Sequence, residues 1–131
     1  GLFSDKITSV AGSSEYFKGA AIVYSNELKM KLLGVRKETL ARFGAVSAEC
    51  AVEMAEGARE RLNTDCAVSI TGIAGPGGGS KEKPVGLAYI AVAVKGRPTA
   101  SKRCMSSGSR DTIKNYSAAN ALALLRIHLE S

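Results

Sequence analysis

The run Thr71-Gly72-Ile73-Ala74-Gly75-Pro76-Gly77-Gly78-Gly79 is the part of this 131-residue chain best suited to hold a ligand. It follows directly on an apolar stretch that reads as a strand, and in α/β folds ligands bind at such strand ends. Glycines let the backbone approach a bound group and aim successive N–H groups at an anion. No Gly-Lys-Ser/Thr follows at P-loop spacing, and the dinucleotide fingerprint is absent. A flexible glycine-rich hairpin fits the composition equally well.

Two other segments bear on chemistry. In Tyr24-Ser25-Asn26-Glu27-Leu28-Lys29, Tyr24 ends an apolar run and Lys29 falls in the first turn of the next helix. A lysine there opposes the helix dipole, and burial acts in the same direction, which is how a lysine becomes a usable base. By spacing alone, a solvated lysine beside Lys31 is the simpler reading. In Gly108-Ser109-Arg110-Asp111, an arginine beside the exposed N–H groups of a helix start is suited to phosphate. An ordinary capped helix with a solvent-facing arginine is again simpler.

What is missing narrows the chemistry. His128 is the single histidine, so a Ser-His-Asp or Cys-His site and a histidine-based metal centre are disfavoured. Cys50, Cys66 and Cys104 form no CxxC pair and are odd in number, which speaks against a disulfide scaffold or zinc site and for a reducing, cytoplasmic setting. If the chain is catalytic, its base has to be lysine, tyrosine or a carboxylate. No metal or cofactor is expected.

The elements that must carry these residues can be read from caps and periodicity. Residues 2–9 read as a short helix, and Ser13 or Ser14 as a helix cap. Residues 19–24 read as a buried strand, followed by a helix over 27–33 that Asn26 caps and Gly34 ends. A short helix at 37–42 stops at Gly44. Ser47 caps an amphipathic helix, 48–62, with Glu49, Glu53, Glu56 and Glu60 on one face and Ala51, Met54, Ala55, Ala58 and Leu62 on another. Strands are expected at 65–71, at 85–95 (apolar almost throughout and so central) and, more weakly, at 99–106. The last helix, 109–129, carries two apolar stripes. One should meet the sheet, and the other needs a neighbouring helix or a second subunit. The order gives an α/β fold, a three-layer α/β/α arrangement around a mixed sheet.

The formal charge of +6 suits an anionic partner. The basic residues are dispersed, with Arg97 to Arg103 the densest cluster, and no groove-reading helix or aromatic platform accompanies them, so nucleic acid is disfavoured. No apolar run is long enough to span a bilayer, and no membrane partner is expected.

Taken together, the segments resemble the CinA C-terminal-domain family, the competence/damage-inducible proteins and nicotinamide mononucleotide deamidases. The matching stretches are Ala11-Gly12-Ser13-Ser14, Val23-Tyr24-Ser25-Asn26-Glu27, Leu33-Gly34-Val35, Gly44-Ala45-Val46-Ser47, Met54-Ala55-Glu56-Gly57 and Thr71 to Pro76 running on to Glu82-Lys83-Pro84-Val85-Gly86. The resemblance implies hydrolysis of the carboxamide of nicotinamide mononucleotide to the acid, with release of ammonia, in pyridine-nucleotide salvage. It implies a serine nucleophile activated by lysine with help from tyrosine, without metal, in a homo-oligomer. Lys29 and Tyr24 match the two helpers and should share a cleft with the loop. Thr71, Gly72, Ile73, Ala74 and Gly75 match the substrate-contacting strand end. The family's serine lies in a Glu-Ser-Cys-Thr-Gly-Gly stretch whose last glycine matches Gly1. Residues 1–131 thus read as one such domain without its first helix, first strand and serine segment, and inactive as they stand. The family's Gly-Asp-Arg is Gly108-Ser109-Arg110 here, which leaves the role of Arg110 open. A non-catalytic pyridine-nucleotide-binding or regulatory domain is the alternative.

Overall fold

The computed structural model describes residues 1–130. Helices α1 (Leu2–Thr8), α2 (Asn26–Leu33), α3 (Lys37–Phe43) and α4 (Ala48–Arg61) precede strands β1 (Cys66–Gly72), β2 (Leu87–Val94) and β3 (Ala100–Met105), and α5 (Arg110–Glu130) closes the chain. A single 3-10 turn, Ser13–Glu15, follows α1. The fold is α/β, as expected.

The apolar β2 is central, flanked by β1 and β3. Both pairings are antiparallel, with Ile70 opposite Ile90 and Ala88 opposite Cys104. The expected mixed sheet is therefore corrected. Parallel neighbours need a long crossover. Here β2 and β3 are joined by a short turn, and β1 and β2 by a loop without a helix. The one segment that could have added a parallel strand, residues 19–24, forms none. Its composition suits a strand, but a strand exists only as a paired ladder. No described strand lies beside it, so Ile22 and Tyr24 are exposed and only Val23 is buried.

Period-two alternation sorts the sheet residues onto two faces. On one face Ala91 and Ala93 pack against Ala51 and Ala55 of α4. Four alanines let helix and sheet approach closely, and the Ser69 hydroxyl bonds the Ala51 carbonyl at 2.5 Å. On the other face Ala88, Ile90 and Cys104 meet Ala121 of α5, with Val68, Ile70 and Leu124 around them. Phe3 of α1 joins this cluster. Helix α1 thus packs beside α5 at the edge of this cluster. Leu122 and Leu125 are half-buried, while Ile127 and Leu129 stay exposed.

Caps fix the helices that carry the site. Ser47 accepts the Cys50 N–H at 3.1 Å, a cap worth about 1 kcal/mol. The cap of α2 is Ser25, whose hydroxyl accepts the Leu28 N–H, so the expected Asn26 cap moves back one residue. Neither Ser13 nor Ser14 caps a helix; Gly12 opens the 3-10 turn without a side-chain bond. Beneath α2 and α3 a separate cluster of Val23, Leu33, Val35, Cys50 and Met54 joins them to α4.

Candidate active site

Ser25 starts α2, which turns Lys29 inward one turn later. Lys29 is only 7% exposed, and its Nζ donates to the carbonyls of Val23 (3.1 Å) and Tyr24 (3.3 Å). The unpaired segment thus turns two of its carbonyls to the buried Lys29 amino group. The Tyr24 ring stands in the open, and its hydroxyl accepts from Arg110 Nη2 at 3.2 Å. Arg110 is the first residue of α5, and its Nη1 donates to the Gly75 carbonyl at 2.7 Å. Tyr24, Arg110 and the glycine-rich loop are therefore one bonded array. Lys29 meets Tyr24 through the main chain rather than through the hydroxyl.

The Thr71 hydroxyl is buried and donates to the Ala45 carbonyl at 2.9 Å. It ties the end of β1 to the loop ahead of α4, so this hydroxyl is engaged within the protein. Gly72 completes the ladder opposite Ala88, and Ile73 bonds back to Leu87 and Gly86. Among the described residues, the N–H groups of Ala74, Gly75, Gly77, Gly78 and Gly79 donate to no protein acceptor. Gly75 has φ +77°, and a Cβ there would lie 2.4 Å from Val85, so only glycine serves.

Lys83 has no sequence signal beyond its place in a matching stretch, yet its Nζ donates to the Phe43 carbonyl. Thr71 and Lys83 thus both fasten the glycine-rich loop to residues 43–45. These partners lie 26 and 40 residues away, beyond the reach of local pattern.

Electrostatically this end of the molecule is cationic. Among the described residues the ion pairs are Arg36–Glu53 and Arg126–Glu130. Lys29, Lys83 and Arg110 are satisfied only by neutral oxygens. Burial pushes the Cys50 thiol up, with Lys29 and Lys83 opposing and Glu53 reinforcing the shift. Burial would also raise the Glu53 carboxyl. The Arg36 N–H, the Thr39 hydroxyl and the Arg36 charge outweigh it and hold the carboxyl low. Clefts of about 330 and 230 Å³ lie along the outer side of α4, lined by residues such as Glu56, Glu60 and Arg97 or Arg61, and include none of the site residues.

The profile of the CinA C-terminal domain matches residues 1–129. The chain belongs to the CinA C-terminal domain family. It is 52% identical over 126 residues to a CinA-like protein of Kosmotoga olearia, a match covering 96% of this chain and 30% of that protein. It is 50% identical over 125 residues to a putative competence-damage inducible protein of Moorella thermoacetica, covering 95% and 30%. The chain thus spans less than a third of the length of the curated relatives it matches. Among solved structures, the competence/damage inducible protein CihA from Agrobacterium tumefaciens superposes with a TM-score of 0.95 at 40% identity, covering all of this CinA-type chain and 79% of that one. The competence or damage-inducible protein from Enterobacter asburiae gives 0.93 at 32% identity, covering 98% and 80%. No helix among the described residues is long and apolar enough to cross a membrane.

Proposed function

We propose that this CinA-type domain forms the substrate-binding body of an amidohydrolase that converts nicotinamide mononucleotide to nicotinic acid mononucleotide and ammonia. The observation that carries the reading is the array of Tyr24, Arg110 and Gly75, with Lys29 buried under Tyr24 and Arg110 bonded only to neutral oxygens. A phosphate-bearing substrate supplies the missing negative charge, and a fork of guanidinium N–H groups matches phosphate geometry. The unpaired N–H groups of residues 74–79 suit the oxyanion of a tetrahedral intermediate.

The nucleophile comes from the family resemblance. A serine oxygen attacks the carboxamide carbon while its proton passes to the Lys29 amine, with Tyr24 assisting. The tetrahedral intermediate collapses, the proton goes to the departing nitrogen, and ammonia leaves. Water then attacks the acyl-enzyme and regenerates the serine. Gly1 lies against Ile22, two residues from Tyr24. That neighbourhood supports a reading in which the serine of the resemblance works from the Tyr24 side.

The second reading is a pyridine-nucleotide-binding or regulatory domain without turnover. The names of the relatives speak of competence and damage and name no hydrolysis, which leaves room for it. Ammonia release from nicotinamide mononucleotide by the intact protein separates the two. Turnover that persists in a chelator supports the serine–lysine route. Tight binding with no ammonia supports the second reading, and turnover that a chelator abolishes contradicts the route proposed here.

A further inference from the structure

The glycine-rich loop leaves β1 at Gly72 and rejoins the sheet at Leu87. Arg110 holds its outgoing limb through the Gly75 carbonyl. The returning limb has a tether of its own. The Lys83 N–H donates to the Ser80 hydroxyl at 3.0 Å, and the Ser80 N–H donates to the Lys83 carbonyl at 2.9 Å. This reciprocal pair closes a turn and fixes the backbone of Lys83. Its side chain then crosses to the C-terminal end of α3 and donates to the Phe43 carbonyl. A cation is favoured there, because the last carbonyls of a helix carry the negative end of its dipole.

The receiving stretch is shaped for this contact. Gly44 has φ +78° and ψ 172°, a conformation essentially confined to glycine, and a Cβ there would lie 2.7 Å from Lys83 Nζ. The next residue, Ala45, accepts from Thr71 at the other root of the loop. Residues 43–45 are therefore the common anchor for both ends of the loop. The charge of Lys83 also reaches Cys50 in the first turn of α4, as does that of Lys29, so the clasp and the buried lysine share one end of the domain.

We infer that Lys83 is a positioning residue that clasps the returning limb of the glycine-rich loop to the end of α3, presenting the free N–H groups of residues 74–79 to the substrate. Its kinetic consequence rests on the deamidase reading; its structural consequence does not. The clasp sets where the loop donors stand, and a misplacement of about 1 Å is costly at such sites.

The test compares Lys83→Met and Lys83→Arg with the natural residue in the intact protein, by amide hydrogen exchange and by steady-state kinetics on nicotinamide mononucleotide. Lys83→Met should speed exchange of the bonded amides of the returning limb, those of Ser80, Lys83, Gly86 and Leu87, about tenfold, the scale of one lost charge-assisted bond. Exchange in α4 and the rest of β2 should be unchanged. KM should rise about tenfold, with kcat falling less, and Lys83→Arg should restore both readouts. Unchanged loop exchange in Lys83→Met would overturn the clasp. So would faster exchange throughout the domain, which marks a general structural role, and so would a loosened loop with unaltered kinetics. If the natural protein releases no ammonia, the deamidase reading fails by itself, and the loop exchange alone decides the clasp.

Discussion

Arg110 is the residue on which the site's geometry turns, because among the described residues it alone bonds both the Tyr24 hydroxyl and the glycine-rich loop. Replacing it by glutamine removes a charge and a fork that a neutral amide cannot reproduce. In the intact protein, Arg110→Gln should raise KM for nicotinamide mononucleotide about tenfold or more while leaving the melting temperature nearly unchanged, since the side chain lies at the surface. An unaltered KM would remove Arg110 from substrate binding. Cys50 gives a second residue-scale check. Burial raises its thiol despite Lys29 and Lys83, so a thiol reagent should modify it far more slowly than a free cysteine at neutral pH. The glycine-rich run stood out by type and position, while for Lys29 and Arg110 spacing alone favoured solvated side chains; Lys29 is buried instead, and Arg110, though exposed, is bonded. The joining of these segments was not legible. Arg110 and Tyr24 are 86 residues apart, and only the fold makes them neighbours.

At the scale of elements, α4 is the post to which the site's loops are fixed. Gly57 lies where α2 ends on α4, and a Cβ there would fall 1.8 Å from the Leu33 carbonyl oxygen. Helix propensity would favour Gly57→Ala by about 1 kcal/mol. The clash is with backbone and cannot be relieved by a rotamer, so the variant should instead be destabilised, by about 1–3 kcal/mol in denaturant titration. Glu53 ties α4 to the start of α3 through the Arg36 N–H and the Thr39 hydroxyl. Its carboxyl is held low in the folded state. Its contribution is therefore full above the ordinary carboxylate range, near ~4.3, and is lost as pH falls through the lower folded value. Glu53→Gln should cost about 1–2 kcal/mol at neutral pH. That difference should shrink in acid, and a constant difference at every pH would contradict the assignment. The helices were readable because Gly34, Gly44 and Ser47 punctuate them chemically, and only the cap of α2 shifted, from Asn26 to Ser25. The segment 19–24 misled because an apolar run reports composition, whereas a strand also requires a partner.

For the whole molecule, the three-layer arrangement follows from alternation in β2, whose small and branched residues face α4 on one side and α5 on the other. Ile127 and Leu129 remain exposed on α5, and the proposed homo-oligomer should bury them; a strictly monomeric intact protein in sedimentation would count against it. The central claim is that Lys29, buried beneath Tyr24, is the base for carboxamide hydrolysis. The measurement that tests it most directly is ammonia release from nicotinamide mononucleotide by the intact protein carrying Lys29→Met, beside the natural residue, with substrate binding and melting temperature followed in parallel. The natural protein should produce nicotinic acid mononucleotide. The folded variant should still bind substrate but turn it over at least about a hundredfold more slowly. A folded Lys29→Met protein releasing ammonia at the natural rate would contradict the claim.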